Sequence, residues 1–274
     1  MLETIRRSRT VSDRHLTFKL LEDVMLLPRT RYEPVVNDSR VRRIGPLVEY
    51  AYHHYDDYDL HFRPSCELGQ YFASSFRNIK VNQVKRDQTV RAKQAEFLKP
   101  PAEPENADDP NWMCFCRRLQ DAAIQAGLSK DFAYALAGTF EEMTGNIIEH
   151  SERSGSGLVG YQWTPGEFEY VVADSGVGVM QSLRTHPEFT WIADSGEALE
   201  QAVCDGVSRF GRESYRGTGF HDLIVNIANR NSYLRFRSGD HVYEVDGTKG
   251  LPIKSVKPCG QLQGLLIAVI TRPF

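Results

Sequence analysis

From about residue 109 onward the apolar positions fall into regular periods. In DFAYALAGTFEEMTGNIIEHS, Leu136, Phe140, Met143 and Ile147 recur at steps of four, three and four residues, one stripe along a helix beginning near Ser129. Ahead of it, Asp109 can cap a helix with Pro110 at its first position, and Gly127 closes that helix after WMCFCRRLQDAAIQA. Two strand-like runs, LVGYQW (158–163) and FEYVVA (168–173), flank the turn TPGE (164–167) and predict a hairpin. After an irregular stretch come short helices around EALEQAV (197–203) and from about Phe220 to Ala228. SYLRFRS and HVYEV around Gly239–Asp240 predict a second hairpin, and LLIAVI a final strand. Helices bracketing mostly antiparallel strands predict a two-layer α/β sandwich over residues 110–274.

Residues 1–109 carry weaker signals. Short apolar stretches (LLEDVMLL, PLVEYAYHHY, QYFASSF) among diffuse turn residues predict a smaller mixed α/β module. Its boundary is KPPAEPENADDP (99–110), where Pro100, Pro101, Pro104 and Pro110 stand among acidic and small residues with almost nothing to bury.

Composition narrows the classes of function. The chain has 274 residues, 41% hydrophobic and 25% charged, which predicts a globular protein rather than a disordered one. With 33 Lys+Arg against 36 Asp+Glu the net charge is −3, so bulk charge would not hold it on nucleic acid. The basic stretch Lys80–Lys99 reads as a solvated helix face, with a patch for nucleic acid or an acidic partner as the alternative. The longest apolar run, Gly264 to Ile270, is far shorter than the roughly 20 residues of a membrane span. The N-terminal MLETIRRSRTVSDRHLTF lacks the apolar core of a secretory signal, and the expected location is the cytoplasm. The five cysteines read as reduced thiols, since Cys114 and Cys116 are one residue apart rather than two. A zinc site on that pair has no second pair to complete it. His53 and His54, with Asp56, Asp57 and Asp59, read as a polar surface run, with a metal cluster as the alternative.

Four short features carry chemistry. Glu142 and Asn146 lie one helical turn apart on a common face, away from the apolar stripe. The carboxamide oxygen is a neutral hard ligand for Mg2+, and the carboxylate can orient or deprotonate a nucleophile. Directly after FEYVVA, the run Asp174-Ser175-Gly176-Val177-Gly178-Val179 delivers an acid into a loop with two glycines. Such a loop can approach a flat ligand closely, and its carboxylate can accept from an exocyclic amine. Arg216-Gly217-Thr218-Gly219 opens the helix FHDLIVNIA, whose free N–H groups favour phosphate. The last feature is the glycine-flanked apolar strand from Gly260 to Ile270.

Taken together, residues 110–274 resemble the GHKL superfamily of ATPases, which includes histidine kinases, gyrase and serine-kinase anti-sigma factors. FEEMTGNIIEHS matches its N box, DSGVGV its G1 box and RGTGF its G2 box, and the look of the helix pair is nearest to the anti-sigma serine kinases and their stand-alone relatives. The resemblance implies a Bergerat-type sandwich that binds ATP and Mg2+. Asn146 would hold Mg2+, Glu142 would be the general base, and Asp174 would bind the adenine amino group. Gly176 and Gly178 would let the loop close over the base, while Gly217, Thr218 and Gly219 would donate N–H groups to the phosphates. Residues from about Met180 to Arg216 would form the ATP lid, with His150 and Arg216 as further phosphate contacts.

The chain departs from the family in two places: Phe220-His221-Asp222-Leu223 follows the G2 box, and Leu265 follows Gly264 where a Gly-Thr pair is usual. None of the N-terminal histidines sits in the helix that a sensor kinase phosphorylates, which disfavours ordinary two-component signalling. The expected function is Mg-ATP binding with ATP hydrolysis or serine-type phosphorylation of a protein partner in bacterial regulation. That partner would be met through residues 1–109 or the lid, with no membrane contact, and a homodimer stays open. The alternatives are a nucleotide-gated, anti-sigma-like switch with little turnover and a DNA-associated ATPase using Lys80–Lys99.

Overall fold

The computed structural model describes residues 17–25, 43–53, 68–69, 72, 76, 90–92, 94–101, 109–204, 219–228 and 230–274. Six antiparallel strands form one sheet in the order β1-β2-β3-β4-β6-β5. They are β1 (Val90–Ala92), β2 (Ala95–Leu98), β3 (Leu158–Thr164), β4 (Glu167–Asp174), β5 (Ser232–Asp246) and β6 (Ile253–Thr271). The helices are α1 (Phe18–Met25), α2 (Ile44–His53), α3 (Pro110–Gln125), α4 (Lys130–His150), α5 (Gly178–Arg184), α6 (Ser195–Ala202) and α7 (Gly219–Ala228). The class is mixed α/β with an antiparallel sheet.

The predicted caps account for the first helix pair. Asp109 Oδ1 accepts from Asn111 N at 2.8 Å, Pro110 opens α3, and Gly127 at φ +102° ends it in a conformation that favours glycine. Ser129 Oγ caps α4 from Phe132 N. The α4 stripe of Leu136, Phe140, Met143 and Ile147 is fully buried against the sheet. Trp112, Phe115 and Phe140 stack there with centroids about 6 Å apart, and Phe140 meets Tyr170 of β4 edge-on at 5.5 Å.

Residues 232–246 count as one strand, yet their ends meet. Gly247 N donates to Ser232 O at 2.9 Å, whereas an extended strand of that length would span roughly 50 Å. The chain therefore doubles back at Gly239, at φ +60°, as SYLRFRS and HVYEV predict, and both halves pair with the long β6. Leu234, Phe236, Tyr243 and Val245 consequently share one core, while Arg235 and Glu244 meet on the opposite face. The stretch expected to be irregular between β4 and α6 contains α5.

The largest difference from expectation concerns residues 1–109. The line drawn at KPPAEPENADDP is no break in the sheet: β2 lies before it and pairs with β3, Phe97 opposite Gly160. Helices α1 and α2 cover the other face of the same sheet, with α2 against β4 and β6. Their core joins Leu47, Val48, Ala51 and Phe72 to Val171, Ala173, Leu266 and Ala268. Helices α1 and α2 thus add a third layer to the helices and sheet of 110–274, because β4 and the second half of β6 are apolar on both faces and each face has to be covered.

Two polar devices fix that second layer. Glu169 of β4, fully buried, accepts from Ile44 N at 3.2 Å and Gly45 N at 2.8 Å and so caps α2 across 124 residues of sequence. Burial pushes its carboxyl up to about 7, against the pull of the Arg43 charge and the two N–H groups. Glu49 of α2 holds Arg235 with two hydrogen bonds, at 2.7 and 2.9 Å, and Arg237 with one at 3.0 Å. All three side chains are sealed from solvent. Glu22 and Glu244 complete the network on Arg235, and Lys257 closes its outer side.

Candidate functional site

The burial of the α4 stripe leaves Glu142 exposed and Asn146 half-buried on the remaining face. Asn146 reaches only Met143 Sδ, at 3.9 Å, through its amide nitrogen, so among the described residues its oxygen is not engaged. Glu142 makes no hydrogen bond or ion pair with a described residue. His150, half-buried, is the last residue of α4.

The last turn of α4 then meets the loop that follows β4. Ser151 O accepts from Val177 N at 3.0 Å, Ser156 Oγ accepts from Ser175 N at 3.0 Å, and the Arg153 guanidinium donates to Ser175 O at 3.2 Å. The glycines of DSGVG are required by this packing. A Cβ on Gly176 would stand 2.1 Å from Ser151 O. Gly178, at φ +79°, would put one 2.8 Å from Ser238 Oγ, and Gly264, at φ +82°, one 2.2 Å from Asp174 O. Ser238 Oγ accepts from Val179 N and donates to Gly264 O, tying the loop to β5 and β6. The close approach that these glycines permit is first of all to the protein's own backbone.

Asp174 ends β4 at the centre of this arrangement, 2% exposed. Gly176 N donates to its Oδ1 at 2.6 Å, and no other described residue bonds to the carboxyl. Burial pushes it up to about 7, the Gly176 N–H pulling the other way. Across the sheet Asp174 stands opposite Leu265, a buried apolar side chain at the position where the GHKL resemblance leads one to expect a threonine.

Gly219 opens α7, which packs on α4 and β5. Phe220 stacks on Phe236 at 4.5 Å and anchors that helix start. Arg216, Gly217 and Thr218 lie outside the described residues, as do His54, Asp56, Asp57, Asp59 and most of the Lys80–Lys99 stretch. The segment expected as a lid divides in two. Residues 180–204 are built into the main core through Leu183, Phe189, Ile192, Ala198 and Leu199, which corrects the expectation of a lid there, and 205–216 lie outside the described residues.

The residues that sequence reading missed are the positioning ones: Ser151, Arg153, Ser156 and Ser238. Each works through one or two long-range hydrogen bonds, and nothing in its local sequence marks it. A cavity of about 600 Å3 opens beside the same loop, and of the expected site residues only Gly178 lines it. Among the described residues no three His, Cys, Asp or Glu side chains form a metal-holding group, and no helix is long and apolar enough to cross a membrane. In comparison with known proteins the chain matches no family model and no curated protein.

Proposed function

We propose that the chain binds Mg-ATP in the manner of the GHKL ATPases, with a Bergerat-type arrangement of α4, the DSGVG loop and the start of α7, and that it hydrolyses ATP or phosphorylates a protein partner. The observation that carries this reading is Asp174. A carboxyl buried at a strand end, with one oxygen bonded to Gly176 N and the other without a described partner, is an unusual expense for a fold unless the second oxygen serves a ligand. An exocyclic adenine amine is the donor that such an oxygen suits.

The remaining roles follow from the face of α4. Asn146 offers an unengaged amide oxygen, a fitting hard ligand for Mg2+, which when bound would neutralise phosphate charge. Glu142 is exposed one turn earlier and would orient or deprotonate the attacking hydroxyl. Backbone N–H groups at the start of α7, from Gly217 to Gly219, would receive the phosphates, with Arg216 and His150 as further contacts.

The freedom of Glu142 favours a second reading, a nucleotide-gated switch with little turnover: no described residue holds its carboxylate in place. Turnover separates the two. With hydrolysis or phosphotransfer as the function, Glu142→Ala lowers kcat by about 100-fold or more while Mg-ATP affinity stays within a factor of two. Equal rates in wild type and variant remove the base assignment and leave the switch. Asn146→Ala should lose the Mg2+ dependence of binding, and unchanged Mg-ATP affinity would contradict its role.

A further inference from the structure

The cavity beside the DSGVG loop has a chemistry of its own. It lies where the tip of the β5 hairpin, the Gln261–Gly264 crossing of β6, the start of α6 and the C-terminal end of α2 converge. At about 600 Å3 it falls in the range of small-molecule sites, roughly 300–1,000 Å3. Two features of the backbone open it. Gly239, at φ +60°, turns the hairpin tip against the start of α6, where a Cβ would meet Ser195 Oγ at 2.1 Å, and Gln263 and Gly264 interrupt the pairing of β6 with β5.

Its lining carries two carboxylates, Asp194 and Asp240, and among the described residues no Lys or Arg. Both carboxylates are exposed at the rim: Asp194 Oδ1 caps α6 from Glu197 N at 2.9 Å, and the Asp240 carboxylate bonds His241 Nδ1 at 2.8 Å and the Ser195 hydroxyl. The hydrogen bond with His241 also holds the Asp240 carboxyl below its usual range, so it stays ionised at neutral pH. The amides of Gln181, Gln261 and Gln263 add uncharged donors and acceptors around them. An anion entering here would face two carboxylates and no Lys or Arg of the described lining, the imidazoles of His53 and of His241 beside Asp240 being the groups there that can take a positive charge, so the balance favours a cation.

We propose that this cavity is a second binding site, for a small organic molecule bearing an ammonium group. The ammonium end meets Asp240 and Asp194, and the rest of the molecule lies along Val177, Met180 and Leu262. The occupant is therefore a polar amine rather than a nucleotide.

Calorimetric titration of the nucleotide-free protein at 150 mM salt tests this, with 1,4-diaminobutane as probe and 1,4-butanediol as its uncharged match. The diamine should bind saturably and the diol should not. Asp240→Asn, at a hairpin tip where Asn is well tolerated, should weaken the diamine about tenfold. Gln181→Trp, at an exposed position on the lining, should abolish binding while the thermal midpoint stays unchanged. Absence of saturable diamine binding, equal binding of the diol, or affinities untouched by both variants would overturn the proposal. No nucleotide is present, so none of these outcomes bears on ATP binding.

Discussion

The two faces of the sheet are held by different physics. Under α3, α4 and α7 lies an aromatic and aliphatic core whose main polar interruption is Glu96, bonded by Arg118 and Tyr161. Under α1 and α2 the apolar contacts are fewer, and the layer is completed by Glu49, Arg235 and Arg237 and by the Glu169 cap on α2. The first face answers to volume, since dispersion and burial scale with the atoms that fill it. The second answers to charge, since a buried ion left without its partner costs more than a void of equal size.

An isosteric change separates the two faces most sharply. Glu49→Gln alters almost no volume but removes the one described carboxylate on the sealed Arg237 and one of the three on Arg235, and should cost about 3–5 kcal/mol in urea unfolding. A loss under about 1 kcal/mol would mean that the α2 layer is held by its apolar contacts alone. On the opposite face the same experiment on Leu136→Ala should cost about 2–5 kcal/mol, scaling with the cavity left behind.

A third effect depends on pH. The folded-state pKa of Asp174 is raised, to about 7 from 3.8, so the folded chain holds that proton more tightly than the unfolded one. Its contribution is fully present below about pH 4 and is lost as pH rises through 7. Asp174→Asn should therefore gain stability on wild type by at most about 1.4 kcal/mol per pH unit across that window and level off above it. Glu169 imposes a parallel slope on both proteins, so only their difference reports on Asp174. A difference that is flat between pH 4 and 7 would show that the carboxyl is not desolvated.

The same contrast explains what could be read from the chain. The helix pair, its caps, the β3–β4 hairpin and the turn at Gly239 all follow from local periods and turn residues, and the structure has each of them. The α1–α2 layer was not legible, because Glu49 and Arg235 are 186 residues apart and no local pattern joins them. One signal was available. YVVA and LLIAVI are apolar at every position, whereas a sheet with one wet face alternates, and so they require cover on both sides. The site divides in the same way. Asp174 and the glycines stand out in sequence, while Ser151, Ser156 and Ser238, which set the loop's shape, are ordinary serines until the fold brings them in.

The central claim, that the buried Asp174 carboxyl serves an adenine nucleotide, is tested most directly by calorimetric titration of Mg-ATP into wild type and Asp174→Asn at pH 8. At that pH the wild-type carboxyl is mostly ionised. The account predicts saturable binding to wild type and at least a tenfold loss in the variant, which remains folded. Failure of the wild type to bind, or equal affinity in the two proteins, would contradict it.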